Sequence, residues 1–266
     1  MSTVPFEPRR FRSTADFYAR YRVPYPDDLI ALVARRAGLT PGEGVLDLGC
    51  GPGVLALAFA RLGARVTALD PEPEMLDAAA AAAEAAGLDI TVQPGSSYEL
   101  DALSGPFRLV VMGRSFHWMD RAATLRSLDR LVAPGGAVAL FGDRRIAAAP
   151  DWHGALQTLG ETYSPSRMAE RKIRRGPGWM PHEGVLVRSP FAHVERIGRI
   201  LERPLDADAI VGRAFSRSVT SPEALGTLRP AFEIALRAEL KRLSPSGAFT
   251  EIVGVDAILG FRAPPD

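Results

Sequence analysis

Short apolar runs alternate with helix-period stretches along residues 41–143. Val45-Leu46-Asp47-Leu48 reads as a buried strand, and Val54 to Leu62 as a helix ended by Gly63. Arg65 to Leu69 reads as a second strand. Pro73 to Ala86, rich in Ala, reads as a strong helix closed by Gly87. Ile90-Thr91-Val92 and Phe107 to Met112 follow as strands three and four. The spacing then predicts a helix over Arg121 to Val132 and, past the Pro134-Gly135-Gly136 turn, a fifth strand over Ala137 to Phe141. Strands separated by helices predict a parallel, doubly wound α/β sheet.

Residues 1–40 are a polar start punctuated by Pro5, Pro8, Pro24 and Pro26. An amphipathic run follows from Asp27 to Ala37, opened by Pro26-Asp27-Asp28 and stopped by Gly38. After about residue 147 the rhythm changes. Asp151 to Tyr163 reads as a helix, and Ser164 to Pro190 as a charged, Gly/Pro-rich stretch. His193 to Glu202 alternates weakly. Ala207 to Phe215 and Pro222 to Leu243 read as helices, and Phe249 to Phe261 as a closing strand. The organisation expected is an N-terminal segment over 1–40, an α/β core over 41–146, and sheet additions with the closing strands over 147–266.

The chain has 266 residues, 47% of them hydrophobic. Surface scaling gives roughly 41,000 Å² extended and roughly 11,000 Å² folded, enough burial for a core without staples. With 32 Lys+Arg against 31 Asp+Glu, the net charge is +1. A nucleic-acid partner is therefore not expected, since phosphate neutralisation calls for a basic excess. The single Cys50 excludes an internal disulfide and a multi-cysteine zinc site. No apolar stretch of membrane-spanning length occurs, and the first residues form no apolar signal segment. The expectation is a cytoplasmic protein with no metal and no membrane partner.

The segment that carries chemistry is Val45-Leu46-Asp47-Leu48-Gly49-Cys50-Gly51-Pro52-Gly53. A buried strand ends in a turn with glycine at alternate positions, and a helix follows. Such a turn lets a ligand approach bare backbone, with helix N–H groups facing it. The dinucleotide fingerprint is incomplete. Counted from Gly49 it requires glycine where Val54 stands, and from Gly51 it meets Ala56. Asp70 ends the second strand about 20 residues past the first glycine, where an acid receives ribose hydroxyls. Turn, spaced acid and α/β context together point to a ligand that carries a ribose.

Val45–Gly53 followed by Ala68-Leu69-Asp70-Pro71 resembles the class I S-adenosylmethionine (SAM) methyltransferases. Phe17–Pro26 (FYARYRVPYP), Ser115–Asp120 (SFHWMD) and Leu131–Gly136 (LVAPGG) resemble their small-molecule, type 11 branch, and Ser216-Arg217-Ser218 is similar to it. The resemblance is specific over about 11–143 and weaker over 191–262. It implies a Rossmann-like, seven-stranded sheet with the last strand antiparallel, and a helical cap or lid built from the N-terminus and the later insertions. It implies SAM as cofactor and S-adenosylhomocysteine as product. Asp47, Gly49, Gly51 and Gly53 would line the methionine and ribose side, Asp70 would hold the ribose diol, and Pro71 with Met75 would flank the adenine. Where many members carry an Asp near the adenine amine, this chain has Gly95-Ser96-Ser97-Tyr98, so Ser96 and Ser97 are the substitutes there. Tyr18, Tyr21 and Arg22 would form a lid over the cofactor, with Arg22 facing its carboxylate. Their plainer reading is a helix surface with an aromatic anchor.

Ser115, His117 and Trp118 follow the fourth strand, where parallel sheets carry ligands. His117 is either a structural histidine or a general base, since imidazole titrates near neutral pH. His153, His182 and His193 stand in no interpretable context. Arg167, Arg171, Lys172, Arg174 and Arg175 read either as a solvated loop or as a lid receiving an anionic substrate. The function expected is methyl transfer to a small-molecule acceptor. The alternative is a protein of the same fold that binds SAM without methylating. A nicotinamide dehydrogenase fits less well, for want of the full fingerprint. Acceptor atom and oligomeric state are not legible.

Overall fold

The structure, a computed structural model, describes residues 11–174 and 176–262, without the Arg174 side chain. Pro5, Pro8 and Arg175 lie outside the described residues. The chain divides into two units. Unit 2 is built from 25–142, 180–199 and the described part of 255–266. Unit 1 is built from the described part of 1–24, with 143–179 and 200–254. The divisions fall at 24/25, 142/143, 179/180, 199/200 and 254/255.

Seven strands form one sheet. They are β1 (Gly44–Leu48), β2 (Arg65–Asp70), β3 (Ile90–Pro94), β4 (Phe107–Gly113), β5 (Val132–Ala149), β6 (His193–Leu205) and β7 (Phe249–Phe261). Their order is β3-β2-β1-β4-β5-β7-β6, with the last strand in the chain antiparallel. β1 pairs in parallel with β2, setting Asp47 opposite Ala68, and with β4, setting Asp47 opposite Val111. The winding reverses between β1 and β4. In sheets with such a switch, ligands bind there, outside the strands' carboxyl ends.

In unit 2, α2 (Asp27–Arg36), α3 (Val54–Arg61), α4 (Pro73–Ala86), α5 (Arg121–Leu128) and α8 (His182–Val187) accompany the sheet. The core gathers Leu46, Leu48, Leu69, Val110, Met112, Phe116, Leu128, Val138 and Leu140, all buried. Each such side chain contributes about 2 kcal/mol when removed from water. In unit 1, α1 (Ala15–Tyr21), α6 (Trp152–Tyr163), α7 (Pro165–Arg174), α9 (Ala207–Phe215), α10 (Pro222–Leu225) and α11 (Arg229–Leu243) surround a second core of Trp152, Leu156, Ile210, Phe215, Phe232 and Leu236.

Three expectations need correction. The helix after residue 121 stops at Leu128, and the next strand begins at Val132 instead of Ala137. Pro134-Gly135-Gly136 is an irregularity inside β5, because the register with β4 slips between Phe107 and Leu109. A Cβ on Gly136 would lie 2.7 Å from the Arg108 carbonyl oxygen, so glycine is what fits there. The Arg-rich stretch from Arg167 to Arg174 is not a loop, since it lies within α7. Pro165 opens α7 where its missing N–H costs nothing, and the Arg, Lys, Glu, Met and Ala that follow are good helix formers.

Candidate cofactor site

The site begins with β1. Leu46 and Leu48 anchor it in the core, and Asp47 between them is only 1% exposed. One Asp47 oxygen, Oδ2, accepts the Ala56 N–H in the first turns of α3 at 2.9 Å. The other, Oδ1, is buried and has no hydrogen-bond partner among the described residues. Burial raises the Asp47 pKa to about 7, against the Ala56 bond that lowers it, and the nearby Asp70 adds to the rise. A buried acceptor without a donor is rare in folded proteins and marks a place for a ligand group that donates.

The chain then turns through Gly49, Cys50, Gly51, Pro52 and Gly53. Gly49 and Cys50 donate their N–H groups to the Leu69 carbonyl at 2.7 and 3.0 Å, which fastens the turn to β2. Gly49 has φ +70, and a Cβ there would sit 2.6 Å from the Ser115 Cβ. Gly53 has φ +80, serves as N-cap of α3, and lies against Ala79. Gly51, at φ +55, differs. A Cβ there would meet only the Met75 sulfur, at 4.0 Å, so its outer face is open to a ligand. The Cys50 thiol between them is buried, which pushes its pKa up.

Asp70 ends β2 and is 7% exposed. Its Oδ2 accepts the Gly51 N–H at 2.8 Å, and its Oδ1 accepts the Glu72 N–H at 3.0 Å. Burial raises its pKa, against the two backbone bonds. Each oxygen keeps a second lone pair, which can accept a ribose hydroxyl. Pro71 follows, partly exposed, and Met75 is buried on α4. Ser96 is engaged locally, its N–H and Oγ both bonding Glu99 Oε2 at 3.0 Å. Ser97 is partly exposed beside it. Ser115 donates its Oγ–H to the Leu48 carbonyl at 2.8 Å, tying the loop after β4 to the end of β1. His117 lies in the 3-10 turn Phe116–Trp118, its ring 5.1 Å from that of Trp118.

Asp47, Gly49, Gly51, Gly53, Asp70, Pro71, Met75, Ser115 and His117 all belong to unit 2, as do Ser96 and Ser97. Tyr18, Tyr21 and Arg22 belong to unit 1. There Tyr21 lies on Gly212 of α9, Arg22 donates to the Ser216 carbonyl at 2.9 Å, and its guanidinium stands 5.1 Å from the Tyr18 ring. Of the Arg-rich segment, Arg167 pairs with Glu170 at 3.4 Å and Lys172 with Glu161 at 3.1 Å.

Two features of the site escaped the sequence reading. Glu72, 2% exposed, caps α4 and bonds Asp70 through its N–H. Arg114 has φ +58 between β4 and the 3-10 turn, with its guanidinium 4.5 Å from the Tyr25 ring. A non-glycine residue with positive φ has no marker in sequence.

Among the described residues no group of His, Cys, Asp and Glu could hold a metal ion, and no helix is long and apolar enough to cross a membrane. Residues 45–136, which hold the turn and Asp70, match the family model described as a methyltransferase domain. An uncharacterized methyltransferase of Mycobacterium bovis is 30% identical over 224 residues, covering 82% of this chain and 81% of the relative. A ubiquinone biosynthesis O-methyltransferase of Methylocella silvestris is 40% identical over 125 residues, 43% of this chain and 49% of the relative, so this chain spans about half of that protein's length. A SAM-dependent methyltransferase of Thiobacillus denitrificans, solved in complex with S-adenosyl-L-homocysteine, superposes with a TM-score of 0.55 at 16% identity, over 97% of this chain and 99% of that one. The likeness to the solved structure is one of fold, and the full-length likeness to the mycobacterial relative is one of family: the chain belongs to the class I, SAM-dependent methyltransferases.

Proposed function

We propose that the protein transfers a methyl group from SAM to a small-molecule acceptor. The observation that carries this reading is the Asp70–Gly51 hydrogen bond beside the orphaned Asp47 Oδ1. Together they set a carboxylate for a sugar diol and an acceptor for an ammonium on either side of bare glycine backbone. SAM, when bound, supplies a methyl already activated on a sulfonium. The residues of this chain bind and orient. Asp70 accepts the ribose hydroxyls, Gly51 leaves room for the cofactor's approach, and Asp47 receives the cationic amino group. Ser115 holds the loop after β4, which carries His117, against β1. Holding the acceptor atom about 3–3.5 Å from the methyl and in line with the bond to sulfur lowers the barrier by several kcal/mol.

An acceptor oxygen is the first to try, since the Methylocella relative is named an O-methyltransferase. His117 is the base for an acceptor that must lose a proton. Ser96 and Ser97 are the residues beside the adenine. The location proposed is the cytoplasm, where a free thiol such as Cys50 stays reduced. The test is calorimetry with S-adenosylhomocysteine, followed by turnover with methyl-labelled SAM against a panel of small phenols, acids and amines. Saturable binding and label in a product support the reading. Absence of binding overturns it.

A further inference from the structure

The loop after β4 is fastened at both ends, and all the residues involved belong to unit 2. At its start, Ser115 donates its Oγ–H to the Leu48 carbonyl at 2.8 Å, at the end of β1. At its far end stands Arg121, the first residue of α5. One guanidinium nitrogen, Nη1, lies 2.7 Å from the Met180 carbonyl oxygen and 3.2 Å from His182 Nδ1. Met180 precedes α8 and His182 opens it. Between the two fastenings, the 3-10 turn Phe116–Trp118 carries His117.

A guanidinium Nη has two N–H groups and accepts nothing. Arg121 Nη1 therefore gives one N–H to Met180 and one to His182. His182 Nδ1 is the accepting nitrogen, and its ring proton sits on Nε2. Arg121 is half-buried. A guanidinium drawn out of water is retained where acceptors meet its donors. The turn between the fastenings holds itself weakly. Its backbone bonds are Trp118 N–H to the Ser115 carbonyl at 2.9 Å and Met119 N–H to the Phe116 carbonyl at 3.2 Å. Short 3-10 turns have poor hydrogen-bond geometry and little stability of their own. Of the three side chains only Phe116 is buried, edge-on to the His182 ring with centroids 5.1 Å apart. The position of the turn depends on its ends.

We propose that Arg121 is a positioning residue for methyl transfer: by clasping Met180 and His182 to the start of α5, it fixes the loop that presents His117. The inference rests on the reading of His117 as the base. Arg121 acts through the loop's backbone and not on the reacting atoms.

Two readouts on the full chain test it. The first is amide hydrogen exchange at Trp118 and Met119, followed by NMR. Arg121→Met keeps an apolar stem and removes every donor. It should speed exchange at both amides about tenfold or more and leave the β1 amides unchanged. The second is kinetics with the acceptor found in the phenol, acid and amine panel. Arg121→Met should lower kcat by about ten- to a hundredfold, with KM for that acceptor and S-adenosylhomocysteine affinity within about twofold. Arg121→Lys, with donors on a flexible stem, should recover part of both effects. His182→Asn keeps an acceptor near the place of Nδ1 without the ring, and His182→Phe keeps the ring without the acceptor. A clasp puts Asn nearer to wild type than Phe in both readouts, whereas ring packing on Phe116 reverses that order. Nitrogen NMR of labelled histidine should show His182 with its proton on Nε2 in wild type, and circular dichroism checks that each variant folds. Unchanged exchange in Arg121→Met, faster exchange with kcat within twofold of wild type, or Phe nearer to wild type than Asn overturns the proposal. Absence of S-adenosylhomocysteine binding or of methyl transfer in wild type instead strikes the methyl-transfer reading, and the exchange measurement still decides whether Arg121 fixes the loop.

Discussion

Asp70 and Gly51 are joined directly: the carboxylate at the end of β2 accepts the N–H of the turn after β1 at 2.8 Å. The acid proposed for the cofactor's sugar thus also shapes the glycine backbone beside it. Asp70→Ala should cost stability as well as affinity. It leaves the N–H groups of Gly51 and Glu72 without acceptors, about 2 kcal/mol in chemical denaturation, and should weaken S-adenosylhomocysteine binding by about tenfold or more. Asp70→Asn, which keeps one carbonyl oxygen, should fall between. Unchanged affinity in Asp70→Ala would remove the sugar-binding role.

The glycines of the turn should separate in their effects. Gly49→Ala drives a Cβ to 2.6 Å from the Ser115 Cβ at φ +70. It should destabilise the protein by about 2–3 kcal/mol, through strain and overpacking. Gly51→Ala meets only the Met75 sulfur at 4.0 Å, so its cost is the left-handed backbone, about 1 kcal/mol. Its larger effect should fall on cofactor affinity, because the methyl fills the open side. Thermal melts beside S-adenosylhomocysteine calorimetry separate the two. Equal affinity in Gly51→Ala and wild type would show that the cofactor does not pass that face.

Asp47 sets a pH dependence with a defined sign. Its pKa is 3.8 as an ordinary carboxyl and about 7 in the folded chain, raised first by burial. Between those values the folded chain holds a proton that the unfolded chain has released. Stability should therefore fall as pH rises from about 4 to about 7, by at most about 4 kcal/mol, and level off above. Asp47→Asn should flatten that slope in denaturation series across pH. A cofactor ammonium beside Asp47 would favour the ionised form, so binding near neutral pH should release protons, read by calorimetry in buffers of different ionisation enthalpy. The release should vanish in Asp47→Asn.

What was legible in the sequence follows from how local each feature is. β1, the glycine turn and Asp70 lie within one strand-helix-strand stretch, and their roles rest on backbone conformation that residue type reports directly. Pro73–Ala86 and Ala207–Phe215 were legible for the same reason, with good helix formers bounded by stop or cap residues. The β5 irregularity was read as a turn because Pro-Gly-Gly signals both, and only pairing with β4 decides. α7 was hidden by flanking Gly and Pro. The Glu251, Arg213 and Arg203 cluster is invisible in sequence, because residues 38 and 48 positions apart meet only through packing in unit 1 and share no spacing rule.

Glu251 and Arg213 form a buried pair in unit 1, with Arg203 sharing the carboxylate. Glu251→Gln leaves two guanidiniums facing a neutral amide and should destabilise by about 3–5 kcal/mol. Glu251→Asp, which keeps the charge on a shorter stem, should recover part of that. Urea denaturation followed by tryptophan fluorescence checks it, since Arg213 stands over the Trp152 ring. A loss below about 1 kcal/mol would show that water replaces the lost charge.

His117 follows two anchored residues. Ser115 is bonded to the Leu48 carbonyl, and Phe116 is buried, edge-on to the His182 ring at 5.1 Å. The imidazole itself is partly exposed and lies against Trp118. As the proposed base, His117 would take a proton from an acceptor without anchoring the cofactor. His117→Ala should then lower kcat by about 10²–10⁴ and leave S-adenosylhomocysteine affinity within about twofold. The acid limb of the pH profile of kcat should disappear with it. A packing role would instead lower stability and leave the pH profile in place. Should kcat stay within a few-fold of wild type, the acceptor surrenders no proton to His117, and transfer rests on alignment by the glycine turn, Asp47 and Asp70 alone.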